Sequence, residues 1–139
     1  MIRRLLVALV LLTALTTVLW TEDAQARNIR GSAVIKEGKT YLGRDYRDGG
    51  LDCSMFTRRV YKKFGVHLED SPTSQFHSGR RVRNPRRGDL VFFREHGRRL
   101  THVGIYYGND KILHASSYFD EVVISQMRHI DGYAGAVTF

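Results

Sequence analysis

One cysteine and two histidines carry the chemistry this chain could do. Cys53 directly follows Asp52, and Asp52 opens the strongest helical pattern in the sequence. A thiol in the first turn of a helix meets free N–H groups and the positive end of the dipole. Both are expected to stabilise a thiolate and lower the thiol pKa. The same N–H groups could hold a developing oxyanion, which suits acyl chemistry. A thiol nucleophile also needs a base. Of the six histidines (67, 77, 96, 102, 114 and 129), His102 opens HVGIYYG and His114 lies in KILHAS, on consecutive predicted strands. With Gly108-Asn109-Asp110 as a three-residue loop, Tyr107 pairs with Lys111 and Gly104 with His114. His102 then shares a sheet face with His114; a two-residue loop would put them on opposite faces. On one face, one imidazole could act as base while the other orients it. The same three residues could also form an open three-ligand zinc site.

The elements that must position these groups fall into a helical half and a strand half. Ile29 to Lys39 predicts a short helix with Ile29, Ala33, Val34 and Ile35 as its apolar positions, and Gly43 to Gly50 reads as a polar loop. After the Asp52 cap, Met55, Phe56, Val60, Tyr61 and Phe64 recur at helical spacing, Arg58, Arg59, Lys62 and Lys63 take the wet side, and Gly65 closes the helix. Ser71-Pro72 predicts the cap and first position of a further helix reaching about Ser78. Five short apolar runs follow: Leu90–Phe93, His102–Tyr107, Lys111–Ala115, Val122–Ser125 and Ala134–Phe139. Helices first and an antiparallel sheet of about five strands after predict an α+β domain.

Composition bounds what this domain can be. The chain has 139 residues, room for one domain and not for a separate cofactor fold. A lone cysteine excludes an intramolecular disulfide and a four-cysteine zinc module. Residues 1–26 combine Arg3 and Arg4, an uncharged run from Leu5 to Leu19 and an Ala24-Gln25-Ala26 exit, the pattern of a secretory signal peptide. The run is short for a spanning helix, and no cysteine follows it to carry a lipid. The expected organisation is a leader at 1–26 and a domain at 27–139, exported to the periplasm or the extracellular space without a lipid anchor. Export makes an unpaired thiol suspect as a reactive one. Cleavage would remove Arg3, Arg4, Glu22 and Asp23, so the net charge of +8 would survive it.

Several blocks of this sequence resemble the NlpC-type cell-wall peptidases, papain-like endopeptidases of bacterial peptidoglycan. They are TYLGRDYRDGGLDCSMF, NPRRGDLVFF, HVGIYYGNDKILHAS and the closing AGAVTF, covering about Arg30 to Phe139. The resemblance implies a minimal papain-like domain with Cys53 as nucleophile, His102 as general base and His114 as the polar residue that orients His102. It implies Tyr41 as the tyrosine near the oxyanion site, and thiolate attack on a peptide carbonyl through a thioester. Asp52, Ser54, Arg44 and Asp45 are the substrate-binding candidates. The chain departs from the family pattern at Arg44-Asp45, where Gly-Gly is usual, at Met55, where glycine is common, and at Leu68-Glu69-Asp70, where Leu-Pro-Arg is frequent. No metal or cofactor is implied. His67, His77, His96 and His129 match no motif position and are expected to be structural or exposed.

Eight arginines lie between Arg80 and Arg99, just upstream of His102. They read either as a solvated surface or as a grip on anionic envelope polymers. Peptidoglycan is the expected partner and nucleic acid is not, because an exported chain leaves it behind and no recognition module is visible. A monomer is expected. The alternatives are a non-catalytic envelope-binding module on the same scaffold, and a papain-like amidase or acyltransferase with another acyl substrate.

Overall fold

The structure, a computed structural model, describes residues 29–47 and 50–139; the expected leader at 1–26 lies outside them. Among the described residues three helices are followed by a six-stranded antiparallel sheet. The helices are α1 (Gly31–Lys39), α2 (Cys53–Lys62) and α3 (Pro72–Ser78). The strands are β1 (Arg80–Val82), β2 (Leu90–Phe93), β3 (His102–Gly108), β4 (Lys111–Ser116), β5 (Glu121–Gln126) and β6 (Tyr133–Thr138), in the sheet order β1-β6-β2-β3-β4-β5. The α+β expectation holds, with one strand more than the apolar runs gave. β1 reads Arg-Arg-Val and is largely exposed, so no hydrophobic pattern announces it. Its pairing with β6, from Arg80 opposite Thr138 to Val82 opposite Ala136, makes it a strand. Among the described residues no helix is long and apolar enough to cross a membrane.

Local signals fix the helix ends. The Asp52 carboxylate accepts the Met55 N–H at 2.8 Å, and Gly65, at φ 76°, takes the left-handed conformation that ends the turn. Ser71 Oγ accepts the Ser74 N–H at 3.0 Å with Pro72 at the first helical position. The apolar face of α2 then meets the sheet. Phe56 and Val60 are fully buried in one cluster with Leu90, Phe92, Val103, Ile105 and Leu113, each worth roughly 2 kcal/mol of burial. The other face of the sheet carries a smaller cluster around Val91, Phe93, Ile112 and Ala136. β2 is therefore buried on both sides, which is why Leu-Val-Phe-Phe does not alternate. A glycine pair clamps α1 to the turn before β2: a Cβ on Gly88 would come within 2.4 Å of Gly31 Cα.

The β3–β4 hairpin differs from the three-residue loop expected. Gly108 pairs with Lys111, so the turn has two residues, Asn109 and Asp110, with φ of 51° and 57°. That is the signature of a type I′ turn. Left regular, this register would separate the two histidines. A bulge at Tyr107 shifts it by one residue, so that Tyr106 pairs with Ile112 and Ile105 with Leu113. Gly104 then lies opposite His114, where a Cβ would stand 2.9 Å from that of His114. The expected parity is reached by another route.

Sequence patterning gave no hint of Gln75, which ties α3 to the start of α2. Its side chain is fully buried; its oxygen accepts from Thr57 Oγ1 at 2.6 Å, and its Nε2 donates to the carbonyls of Ser54 at 2.9 Å and Glu69 at 2.8 Å. Gln75→Leu keeps the volume and removes three hydrogen bonds, those with Thr57 Oγ1, Ser54 O and Glu69 O. We expect a loss of about 3 kcal/mol, visible as an earlier urea midpoint with an unchanged slope.

Candidate active site

Three side chains, His102, His114 and Ser125, form one run of hydrogen bonds from β3 to β5, and Cys53 at the α2 N-terminus lies against the backbone beside it. Cys53 Sγ lies 3.9 Å from the Thr101 carbonyl and also faces the Val103 N–H, so it sits against the backbone on both sides of His102. His102 Nε2 lies 2.7 Å from His114 Nδ1, with the two rings nearly perpendicular. His114 Nε2 lies 2.9 Å from Ser125 Oγ on β5. Nδ1 of His102 is the one imidazole nitrogen of this pair without a hydrogen bond among the described residues. It is the nitrogen left to take a thiol proton.

Burial sets the protonation of this chain. It pushes the Cys53 thiol up to about 11, although the Val103 and Ser54 N–H groups pull the other way. The lowered thiol pKa expected from the helix terminus is therefore not found. The dipole argument counts only α2, whereas β3 takes the sulfur out of water and Asp52 adds a like charge. Burial also pushes His102 down to about 4, and His114 lower still, with the His102 charge contributing. Both shifts favour the neutral thiol and the neutral imidazole over the ion pair.

The helix start leaves donors free. The Met55 N–H goes to the Asp52 side chain and the Phe56 N–H to the Asp52 carbonyl, at 2.9 Å. The Cys53 and Ser54 amides remain, and Ser54's faces the sulfur. Tyr41, in the turn after α1, is buried and packs edge-on against Phe56, one turn beyond Cys53.

The substrate-binding candidates separate. Asp52 caps α2, and the buried Ser54 hydroxyl lies 3.1 Å from Asp52 Oδ1 and 2.9 Å from Asp70 Oδ1. Asp70, one of the unusual Leu68-Glu69-Asp70 residues, thereby joins the site's edge. Arg44 stacks on the Tyr41 ring at 4.7 Å. Asp45 makes an exposed pair with Arg47 at 3.6 Å, of little energetic worth. Both belong to a loop tied to β5 through Gly43 N–H to Val122 O and Val122 N–H to Arg44 O.

A groove of about 1030 Å³ opens onto His102 and His114. Glu95, His96 and Ser125 line it, and Tyr118 and Phe119 stand exposed at its rim. His96 and His129, expected to be structural or exposed, are both exposed and line this same groove. The arginines between 80 and 99 divide in space. Arg80, Arg86 and Arg87 join Arg30 around a separate cavity of about 800 Å³. Arg94, Arg98 and Arg99 lie on the β2–β3 connection beside the groove. Among the described residues none of them is ion-paired, Arg47–Asp45 being the one salt bridge. Asp89 accepts the Arg86 N–H at 2.7 Å and so caps the loop before β2.

Sequence reasoning missed Ser125. β4 pairs with β5 with His114 opposite Val123, so Ser125, two residues on, shares the histidine's face. That parity needs the length of the β4–β5 turn, which the apolar runs leave open.

Residues 38–134 match the sequence profile of the NlpC/P60 family. Over 104 residues the chain is 39% identical to the murein DD-endopeptidase MepS/murein LD-carboxypeptidase of Escherichia coli K12, covering 69% of this chain and 54% of the relative. Over 85 residues it is 39% identical to a probable endopeptidase NlpC homolog of Haemophilus influenzae, covering 55% and 44%. The chain thus spans about half the length of these relatives. The solved structure of the peptidoglycan hydrolase RipB from Mycobacterium tuberculosis superposes with a TM-score of 0.69 at 28% identity, over 84% of this chain and 65% of that one.

Proposed function

Because this chain belongs to the NlpC/P60 family, we propose that it is an exported cysteine endopeptidase that hydrolyses peptide bonds in the stem peptides or cross-links of peptidoglycan. The observation that carries the reading is the His102–His114 hydrogen bond of 2.7 Å beside a cysteine at a helix N-terminus. The relatives' names supply the substrate class: a murein endopeptidase and a peptidoglycan hydrolase.

The geometry supports the following roles. A stem peptide enters along the groove that opens onto His102 and His114, and its scissile carbonyl is brought over Cys53 beside it. His102 Nδ1 takes the thiol proton as sulfur attacks, since the resting pair is neutral and the ion pair forms only with the reaction. The imidazolium keeps its Nε2–H on His114 Nδ1. The oxyanion meets the free amide at the start of α2, with the Tyr41 hydroxyl as a further donor. His102 then returns its proton to the leaving amine, and water cleaves the thioester by the reverse route. Asp52, Ser54 and Arg44 border the substrate, and the unpaired arginines hold the enzyme near anionic wall material.

The test is digestion of purified peptidoglycan with the products identified by mass. We expect stem-peptide fragments with new amine and carboxylate ends on uncut glycan. No release, or cuts confined to the sugars, overturns the reading. In the same assay, co-sedimentation with the wall should weaken between 0.15 and 1 M salt, as the screening length falls from about 8 to about 3 Å.

A further inference from the structure

We infer that Ser125 is a positioning residue for the proposed hydrolase: its hydroxyl accepts the His114 Nε2–H and so leaves a lone pair on His102 Nδ1, the nitrogen that would take the Cys53 proton. The inference rests on the proposed activity and extends it beyond the cysteine and two histidines by one link.

The argument runs through proton counting. A neutral imidazole carries one N–H, and its other nitrogen can only accept. The hydrogen bond between His102 Nε2 and His114 Nδ1 therefore has two neutral forms. If His102 donates, its Nδ1 is a lone pair and can act as the base. His114 then bears its proton on Nε2, and that proton needs an acceptor. If His114 donates, His102 carries its proton on Nδ1 and cannot take one from sulfur. The two forms differ at the far end of the chain, where Nε2 of His114 meets Ser125 Oγ at 2.9 Å. Among the described residues this hydroxyl has no other hydrogen bond.

The demand sharpens when the proton moves. With His102 an imidazolium, its Nε2–H must point at His114 Nδ1, so His114 must donate through Nε2. His114 is 3% exposed, and an unaccepted N–H there would be costly. Ser125 therefore stabilises the charged state more than the resting one, which places its effect in kcat.

The variants that test this are Ser125→Thr and Ser125→Val, alike in shape and both at home in a strand, differing only in the hydroxyl. Ser125→Thr should keep kcat near wild type, and Ser125→Val should lose about fivefold, the worth of one hydrogen bond. KM should be unchanged in both. Independently, imidazole 15N shifts of histidine-labelled protein should report a Nε2–H tautomer for His114 in wild type and Ser125→Thr, and a mixed one in Ser125→Val. Equal kcat in the two variants, or a Nδ1–H tautomer in wild type, overturns the assignment. The tautomer measurement needs no substrate. A wild type that cuts no wall would thus sink the hydrolase reading while the role of Ser125 is still decided.

Discussion

Cys53→Ala is expected to reduce wall hydrolysis at least about 10³-fold, to the level of a blank, while leaving the fold and wall binding in place. The substitution removes one sulfur from a residue that is 8% exposed in the main core, a change worth about 1 kcal/mol of packing. Cys53→Ser should be equally inactive, because a buried hydroxyl is a far weaker acid and nucleophile than the thiol it replaces. Fragment release from purified peptidoglycan, followed by mass, reads both. Activity in Cys53→Ala equal to wild type would remove the thiol from the mechanism. A companion measurement concerns the resting state. With the Cys53 thiol held near 11 by burial, alkylation by iodoacetamide should be slow at pH 7 and accelerate into the alkaline range. Fast labelling at pH 7 would instead mean a preformed ion pair.

His102→Ala is the second large effect, an expected drop in kcat of about 10³-fold with substrate binding little changed. His114→Ala leaves the base present but loosely held and should cost less. The double variant should lose little more than His102→Ala alone, because the two rings act as a unit through one hydrogen bond. The same burial gives a stability signature. Both folded imidazoles titrate below the ordinary value near 6.5 because burial disfavours their charged forms. Between about 6.5 and 4 the unfolded chain therefore binds more protons than the folded one, so stability falls as pH falls through that window. Wild type should melt earlier at pH 4.5 than at pH 7, and the double variant should lose much of that difference. An equal acid sensitivity in both would place its origin elsewhere.

What the sequence made legible was local. The Asp52 cap, the Ser71-Pro72 start and the Leu90–Phe93 strand each rest on neighbours within a few residues, and the structure has them there. What it hid was set across the fold. β1 exists through its pairing with β6, Gln75 acquires a role only when α3 meets α2, and Ser125 reaches His114 through the β4–β5 register. The thiol shows the same limit from another side. A helix N-terminus favours a thiolate when it is considered alone, but the strand packed over Cys53 removes the water that would have solvated the charge. Of the site, the cysteine and both histidines were readable because each sits in a short motif. Their protonation was not, since it depends on burial that no local pattern encodes.

The bulge at Tyr107 has a meaning for how such chains diverge. The hairpin carries one residue more than a regular ladder needs between Gly108–Lys111 and Tyr106–Ile112. Losing Tyr107 would turn the bulged ladder into a regular one without rotating His102 or His114, at the local cost of its stacking with Arg87. A gap at this column of an alignment would be silent for the chemistry. The hairpin can shorten by a residue over evolutionary time, and its two histidines can still meet.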